Sequence, residues 1–491
     1  MTDNTDLAVH VEALAKARVL VVGDVMLDRF VYGTVERISP EGPIPVLQID
    51  RDVSMLGGAG NVLRNLAALG VRADFVAVVG EDAAGHEVRD LATGDAGRGC
   101  RILVQAGRPT TIKERYIAAG QQLLRADRES ARPLAAHTAG AVVDAAKAAL
   151  AESGAGALVL SDYGKGVLQP ATIAALVEVA RAAGRPVVVD PRGRDYARYR
   201  GAALVTPNRP ELHQATGLPV DDDDQIVAAC RAVIETAGVE GVLATRSEDG
   251  MTLVTAEAGA PPRHFAARAR EVFDVSGAGD TVTAVVAAGL AAGVEIADAA
   301  RLANVAAGIV VGKLGTAVAH SGEVLRALHA SELLAAEAKV VDLDSLVERV
   351  AGWRRAGLAV GFTNGCFDLL HPGHVSLLSQ ARQACDRLIV GLNSDASVRR
   401  LKSRGRPVQS EAARAAVVAS LADVDQVVIF GEDTPLRLIE AIRPDVLVKG
   451  ADYTLDRVVG AEVVQSYGGR VVLARLMPGY STTGTIEKLS K

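Results

Sequence analysis

Short runs of β-branched and aliphatic residues recur along the chain, each closed by Gly, Asp or Asn and followed by apolar positions at helical spacing. VLVVGD after Arg18, LVLSDYG after Ala157, PVVVDPRG after Arg185 and LVTPN after Ala203 carry this pattern through the first part of the chain. The same grammar returns in GLAVGFTNG (357–365), RLIVGLNSD (387–395), QVVIFGED (426–433) and DVLVKGADY (445–453). A strand covered by helices on both faces is apolar throughout, so these runs predict parallel strands and an α/β fold of two doubly wound domains. Between them, Leu333, Leu334, Val340, Leu346, Val347 and Val350 fall at roughly helical intervals with no Pro or Gly intervening. The expected division is therefore a first domain over 1–325, a helical linker over 326–356 and a smaller second domain over 357–491.

Composition narrows the function classes. The 53 Lys and Arg stand against 59 Asp and Glu, a formal net charge of −6 with the signs interspersed, so no basic face for nucleic acid is expected. Aromatics make up only 3% and there are 49 Gly, which suits Val-rich parallel strands under Ala-rich helices better than a β-sandwich. The four cysteines are too few and too scattered for a disulfide scaffold. No basic segment leads into an apolar one at the N-terminus, and no apolar run reaches membrane-spanning length, so a cytoplasmic protein without a membrane partner is expected. The acidic run Asp221–Asp224 is expected to be a solvated turn, because adjacent carboxylates repel and rarely converge on one ion.

Two glycine clusters stand out in the first domain. In MLGGAGNVLRNLAALG from Met55, Gly57, Gly58 and Gly60 precede an apolar helical pattern, so a backbone can approach a ligand closely and Asn61 can offer its amide to a sugar hydroxyl. A strand-to-helix turn without a ligand reads equally well. In FDVSGAGDTVTAVVAAGLAAG from Phe273, small residues lead into a helix whose first turn carries Asp280. Free amides there would hold phosphoryl oxygens while the carboxylate accepts the proton of an attacking hydroxyl. The competing reading makes Asp280 a helix cap.

In the second domain, GFTNGCFDLLHPGHVSLL from Gly361 runs from a strand into a loop, and Pro372 suits the first position of the helix that follows. His371 and His374 then flank a helix N-terminus that favours an anion. A zinc site would need further donors, and the spacing matches no common zinc pattern. Asn393, Lys402, Lys449 and the segment GYSTTGTIEKL from Gly479 each follow an expected strand or start a helix, positions that share the crevice at the carboxyl ends of a doubly wound sheet.

GGAGN followed much later by DVSGAGD resembles the two signatures of the ribokinase-type (PfkB) carbohydrate kinases. That resemblance implies a doubly wound sheet with a small β lid, ATP as donor, and Asp280 as general base over an anion hole of Gly277, Ala278 and Gly279. TPNRPE from Thr206 is similar to the family's Asn-x-x-Glu, so Asn208 and Glu211 would organise Mg²⁺ and phosphate, Glu211 indirectly, with Arg209 and Pro210 beside the nucleotide. Leu63 and Val285 depart from the smaller residues of the general signatures. The segments MLDRFVYGTVERISPEGPIPVL from Met26, QQLLRADRE from Gln121 and SDYGKGVL from Ser161 resemble the heptose 7-phosphate kinases. They imply Arg125 and Lys165 as cations for a substrate phosphate, Asp24 and Asp28 as acceptors of hydroxyl protons, and Gly57, Gly58 and Asn61 at the sugar.

HxGH and the STT helix start resemble the cytidylyltransferase-like nucleotidyltransferases. These imply attack of a substrate phosphate on the α-phosphorus of a nucleoside triphosphate, with His371 and His374 stabilising charge and Asn393, Lys402, Lys449, Ser481 and Thr482 at the nucleotide. Leu476 stands where relatives often carry Arg, and Cys366 is expected to be a small packing residue, since this chemistry needs no thiol.

A kinase followed by a nucleotidyltransferase resembles the bifunctional heptose 7-phosphate kinase/heptose 1-phosphate adenylyltransferases. The resemblance implies phosphorylation of D-glycero-β-D-manno-heptose 7-phosphate at C1, adenylyl transfer from ATP to the 1-phosphate, a place in lipopolysaccharide core synthesis, Mg²⁺ with room for K⁺, and a homodimer. Alternatives are another sugar kinase fused to a cytidylyltransferase, or a catalytically silent nucleotide-binding regulator.

Overall fold

A computed structural model describes residues 4–475 apart from 97–98, 268–271, 273, 314, 403–404 and 452–453. The chain divides into two compact units, 1–328 and 329–491. The first contains β1 (Arg18–Gly23), β2 (Val25–Ile38), β3 (Pro45–Gly58), β4 (Arg72–Gly80), β5 (Cys100–Gln105), β6 (Ile112–Ala118), β7 (Gln121–Arg128), β8 (Ala157–Ser161), β9 (Val187–Asp190), β10 (Leu204–Val205), β11 (Gly241–Thr245), β12 (Met251–Thr255) and β13 (Arg263–Phe265). Nine of these form one sheet in the order β13-β12-β11-β10-β9-β8-β1-β4-β5. It is parallel from β11 to β5 and closes with β12 and β13 antiparallel at one edge.

The apolar strands bury both faces. Within β1, Val19 and Val21 join one core while Leu20 and Val22 join the other, on the opposite side of the sheet. That two-sided burial follows from the period-2 alternation of side chains and explains why the run has no polar positions. A second sheet, β3-β2-β6-β7, forms the lid. Its β2 follows β1 after only Asp24, and its burial fades from the Val25 end to an exposed Ile38 end.

The second unit holds β14 (Val340–Val341), β15 (Val360–Gly365), β16 (Arg387–Asn393), β17 (Gln426–Phe430), β18 (Val446–Gly450) and β19 (Arg470–Ala474), in a parallel sheet of order β14-β17-β16-β15-β18-β19. Alternate residues of β16 again divide between two cores, Leu388, Val390 and Leu392 on one face and Ile389 on the other. The 326–356 segment, expected as a helical linker, is interrupted. Helices Ser321–Glu337 and Leu343–Arg355 flank β14, whose Val340 and Val341 pair with Val427 and Val428. The free edge of β17 offers backbone partners to two adjacent β-branched residues, and this overrides their helical spacing. Leu346 and Val350 are buried in the core of the second unit.

Candidate active sites

Strand order determines where the first site forms. The carboxyl ends of β8, β9, β10 and β11 open on a cavity of ≈ 220 Å³ whose lining includes Asp162, Asp190, Thr206, Thr245, Gly279 and Asp280. This is the crevice where open α/β sheets bind ligands. The helix Ala278–Ala291 starts at its rim, with Gly277 as N-cap in the left-handed region (φ 80). A Cβ on Gly277 would stand 2.6 Å from Asn61 Nδ2, so glycine meets both the backbone conformation and the close approach. First-turn amides have no acceptor within a helix. Ala278 N–H, however, donates to Val275 O (3.3 Å), which leaves Gly277 and Gly279 as the expected anion-hole residues lining the cavity.

Asp280 is 4% exposed. Asn61 Nδ2 donates to its Oδ2 and the Tyr163 hydroxyl to its Oδ1, both at 2.8 Å. Burial raises its pKa to about 6, against the pull of these two donors, with Asp28 pushing the same way as burial and Lys113 opposing it. Such a group is ionised at neutral pH yet basic enough to take a hydroxyl proton as it is released. Asp280 is therefore no mere cap, because its side chain caps no amide of its own helix.

The other expected residues are placed as follows. Asn208 and Glu211 close a capping box on the helix Arg209–Thr216: Glu211 N–H donates to Asn208 Oδ1 (2.9 Å) and Asn208 N–H to Glu211 Oε2 (3.0 Å). Both line the cavity, and Arg192 donates to the other Glu211 oxygen at 3.3 Å. Arg209 pairs with Asp249, and Pro210 sits in the first turn of that helix. Asp24 accepts three backbone N–H groups, from Tyr163 (3.0 Å), Lys165 (2.9 Å) and Val167 (3.0 Å), so both its oxygens face this loop.

Asp28 accepts from Arg115 at 2.6 Å. A Cβ on Gly57 would overlap the Asp28 carboxylate, and one on Gly58 would crowd the Asp24 carbonyl. The first glycine cluster thus makes room for two buried aspartates at the end of β3. Arg125 pairs with Asp127 (2.9 Å) and Lys165 with Glu129 (2.6 Å).

Two residues given no role from sequence belong to the same neighbourhood. Lys113 on β6 is half-buried, and desolvation lowers its pKa while Asp28 opposes and the charges of Arg125 and Lys165 reinforce the shift. Asp190, at the end of β9, has its pKa raised well above the carboxylate range by burial and by the charges of Asp280, Glu211 and Asp162. The sequence signal for Asp190 was an acid closing a buried strand. For Lys113 there was none, because a lid strand alternates and its basic residues look like surface.

In the second unit, β15 delivers the loop 366–371 and the helix Pro372–Gln383, with His371 as N-cap and Pro372 in the first turn. The His371 and His374 rings stack, centroids 3.8 Å apart and 17° between planes, and Phe367 packs 5.1 Å from His374. Burial, then the charge of His371, lowers the His374 pKa to about 4, and burial lowers that of His371. Two imidazoles in van der Waals contact resist double protonation, so stacking and burial both favour the neutral pair.

Asn393 ends β16, where its Nδ2 donates to Ser397 Oγ (3.0 Å) and its Oδ1 lies 3.9 Å from Cys366 Sγ. Lys449, near the end of β18, donates to Asn364 O at 3.1 Å, beside the HxGH strand. Lys402 ends the helix Asp395–Leu401, close enough for its charge to act on Cys366. Ser481 and Thr482 lie outside the described residues.

Arg414, fully buried, was overlooked from sequence: it donates to Cys366 O (2.6 Å), Gln409 O (3.1 Å) and Asp395 Oδ1 (2.7 Å). Asp368, 1% exposed, accepts from Arg406, Val408 N–H (2.8 Å) and Gln409 N–H (3.1 Å). Together they tie the loop before the histidines to residues 406–414. Among the described residues no group of three or more His, Cys, Asp or Glu is arranged to hold a metal ion.

The chain matches the pfkB family of carbohydrate kinases over residues 16–321 and the cytidylyltransferase-like family over residues 362–485. Escherichia coli phosphofructokinase-2 in complex with potassium superposes with a TM-score of 0.55 at 20% identity, covering 64% of this chain and 99% of that one. Arabidopsis thaliana ribokinase complexed with ribose and ATP does so with a TM-score of 0.50 at 22% identity, over 64% and 98%. These two show the fold of the first unit. Over full length, the bifunctional protein HldE of Paramagnetospirillum magneticum is 59% identical, covering 100% of both chains, and that of Rhodospirillum rubrum is 58% identical, covering 98% of this chain and 97% of that one. With a sugar-kinase unit followed by a nucleotidyltransferase unit and identity running through both, the chain belongs to the bifunctional HldE family.

Proposed function

We propose that the first unit phosphorylates the C1 hydroxyl of D-glycero-β-D-manno-heptose 7-phosphate and the second joins the resulting 1-phosphate to AMP. The observation that carries the reading is the pairing of a buried, hydrogen-bonded Asp280 at a helix start with a stacked histidine pair at another, in a chain of this family. In the first reaction Asp280 takes the proton of the C1 hydroxyl as that oxygen bonds to the γ-phosphorus and ADP leaves. The helix-start amides hold the phosphoryl oxygens while charge moves to the leaving group.

The product is a 1,7-bisphosphate, so a phosphatase reaction must remove the 7-phosphate before the second step. There an oxygen of the sugar 1-phosphate attacks the α-phosphorus of ATP and pyrophosphate departs, with His371 and His374 donating to the phosphate oxygens. Lys402, Lys449 and Asn393 are assigned to the nucleotide, as are Ser481 and Thr482 to its phosphates, by family resemblance.

Mg²⁺ accompanies ATP in this reading. The donors at the first site suit an ion carried mainly by phosphates and water, since Glu211 offers a cavity-lining carboxylate rather than one member of a protein cage. Bound there, Mg²⁺ would neutralise charge on the phosphates. A homodimer, and a cytoplasmic setting where ATP is made, belong to the same proposal. The lid exposes Ile38 (62%), Ile49 (58%) and Leu124 (59%), apolar surface that a second copy would cover, and sedimentation of the purified protein checks the assembly.

The test of the activity incubates the protein with ATP, Mg²⁺ and heptose 7-phosphate, with and without an added phosphatase. The bisphosphate should accumulate without the phosphatase, and ADP-heptose and pyrophosphate should form with it. CTP consumed in preference to ATP in the second step would assign a cytidylyltransferase instead.

A further inference from the structure

We propose that Tyr163, itself held by Asp24, is a positioning residue that fixes the Asp280 carboxylate and keeps it in its proton-accepting form. Tyr163 lies in the loop after β8, and its hydroxyl donates to Asp280 Oδ1 at 2.8 Å across 117 positions of sequence. With Asn61 on the other oxygen, the carboxylate is fixed from two sides. A carboxylate has about four acceptor positions, so two remain for the incoming sugar hydroxyl.

The loop is in turn pinned from β1. Asp24, 1% exposed, gathers the N–H groups of Tyr163, Lys165 and Val167 onto one carboxylate. This accounts for an acid that the family resemblance gave to substrate: its oxygens shape the loop that carries the phenol. The Lys113 ammonium stands 5.9 Å from the Tyr163 ring centroid and adds a further contact on the lid side.

The electrostatics make such a donor necessary. Asp28 on β2 faces Asp280 with like charge and favours its protonated form, while Asp190 on β9 is itself held towards its protonated form by burial and by the charge of Asp280; Lys113 on β6 and Arg64 on the helix Ala59–Ala68 favour the Asp280 anion. Burial weighs on the same side as Asp28. A hydroxyl donating to the carboxyl group stabilises the ionised form more than the neutral one and so counters that bias. Burial and the charge of Asp280 also hold Tyr163 well above the usual phenol range, so it stays a donor throughout the working pH range.

The inference rests on the kinase reading, and the full-length chain tests it through the pH profile of kinase kcat/KM. Tyr163→Phe should move the acidic limb up by about one pH unit, with about a fivefold loss at pH 6 that approaches tenfold below pH 5 and closes above pH 8. Replacing Tyr163 with 3,5-difluorotyrosine, a stronger donor of nearly the same shape, should move the limb down. Asp24→Asn, which misplaces the loop, should move it in the same direction as Tyr163→Phe. An acidic limb unmoved in the Phe and difluorotyrosine proteins overturns the proposal. Should the Phe variant fail to fold, the difluorotyrosine protein alone decides. Full kinase activity in Asp280→Asn would instead overturn the underlying assignment of the base.

Discussion

Asp280 and His374 use burial in opposite directions. Removal from water lifts a carboxyl, here to about 6, and depresses an imidazole, here to about 4. As the proposed base, Asp280 would have to be ionised to accept a proton, so kinase kcat/KM should rise with pH through about 6 and level off above it. Asp280→Asn should lower kinase turnover by about 10²–10⁴-fold while adenylyl transfer survives. His374→Ala should lower adenylyl transfer by about 10²–10³-fold and leave the kinase untouched, as expected on deleting one charge-stabilising donor.

The histidine also sets a stability trend. Its folded pKa lies below the ordinary 6.5, so the unfolded chain takes up the proton first, and the second unit loses stability as pH falls from 6.5 towards 4. Melting temperatures of the wild type and His374→Ala between pH 7.5 and 4.5 check this. The wild type should decline more steeply, and equal slopes would remove His374 as the cause.

At the scale of elements, the two sites are made where strands hand over to helices, and small residues decide how closely the pieces approach. Gly277→Ala would force a side chain into a left-handed turn and against Asn61, the partner of Asp280. The backbone cost alone is about 1–2 kcal/mol, and kinase activity should fall with little change in adenylyl transfer. Arg414 does comparable work in the second unit, where one guanidinium joins Cys366, Gln409 and Asp395. Arg414→Leu leaves these acceptors without their donor and should destabilise that unit by about 3 kcal/mol, read as a lower denaturation midpoint with the kinase transition unchanged. Capping shows the same economy of local chemistry: Asp222 in the acidic run accepts Gln225 N–H (2.8 Å), and Asp223 pairs with Arg246, so the run starts a helix on the protein surface.

At the scale of the whole molecule, the described residues form two units with separate cores, a nine-stranded sheet with its four-stranded lid in the first and a six-stranded sheet in the second. Residues 1–328 and 329–491 produced as separate chains should each fold and keep their own reaction, which activity assays on the two fragments would check. The apolar runs of β1, β8, β16 and β17 were legible in the sequence because two-sided burial leaves no polar positions in them. The lid strands were legible only through resemblance, since half their residues face water. Asp280 and the His371–His374 pair were equally readable, because the chemistry of a helix start is written in a few contiguous residues. Tyr163 on Asp280, Asp24 on the 163–167 loop and Arg414 on Cys366 meet across 117, 139 and 48 positions. Sequence by itself therefore determined the fold class and the residues at each helix start, which follow from local periodicity and spacing, while the order of the two chemistries came from the resemblance of its motifs to two families. Which side chains hold Asp280, orient the histidine loop and tune their proton affinities was decided only by the tertiary structure, because burial and long-range hydrogen bonds exist only once distant strands lie side by side.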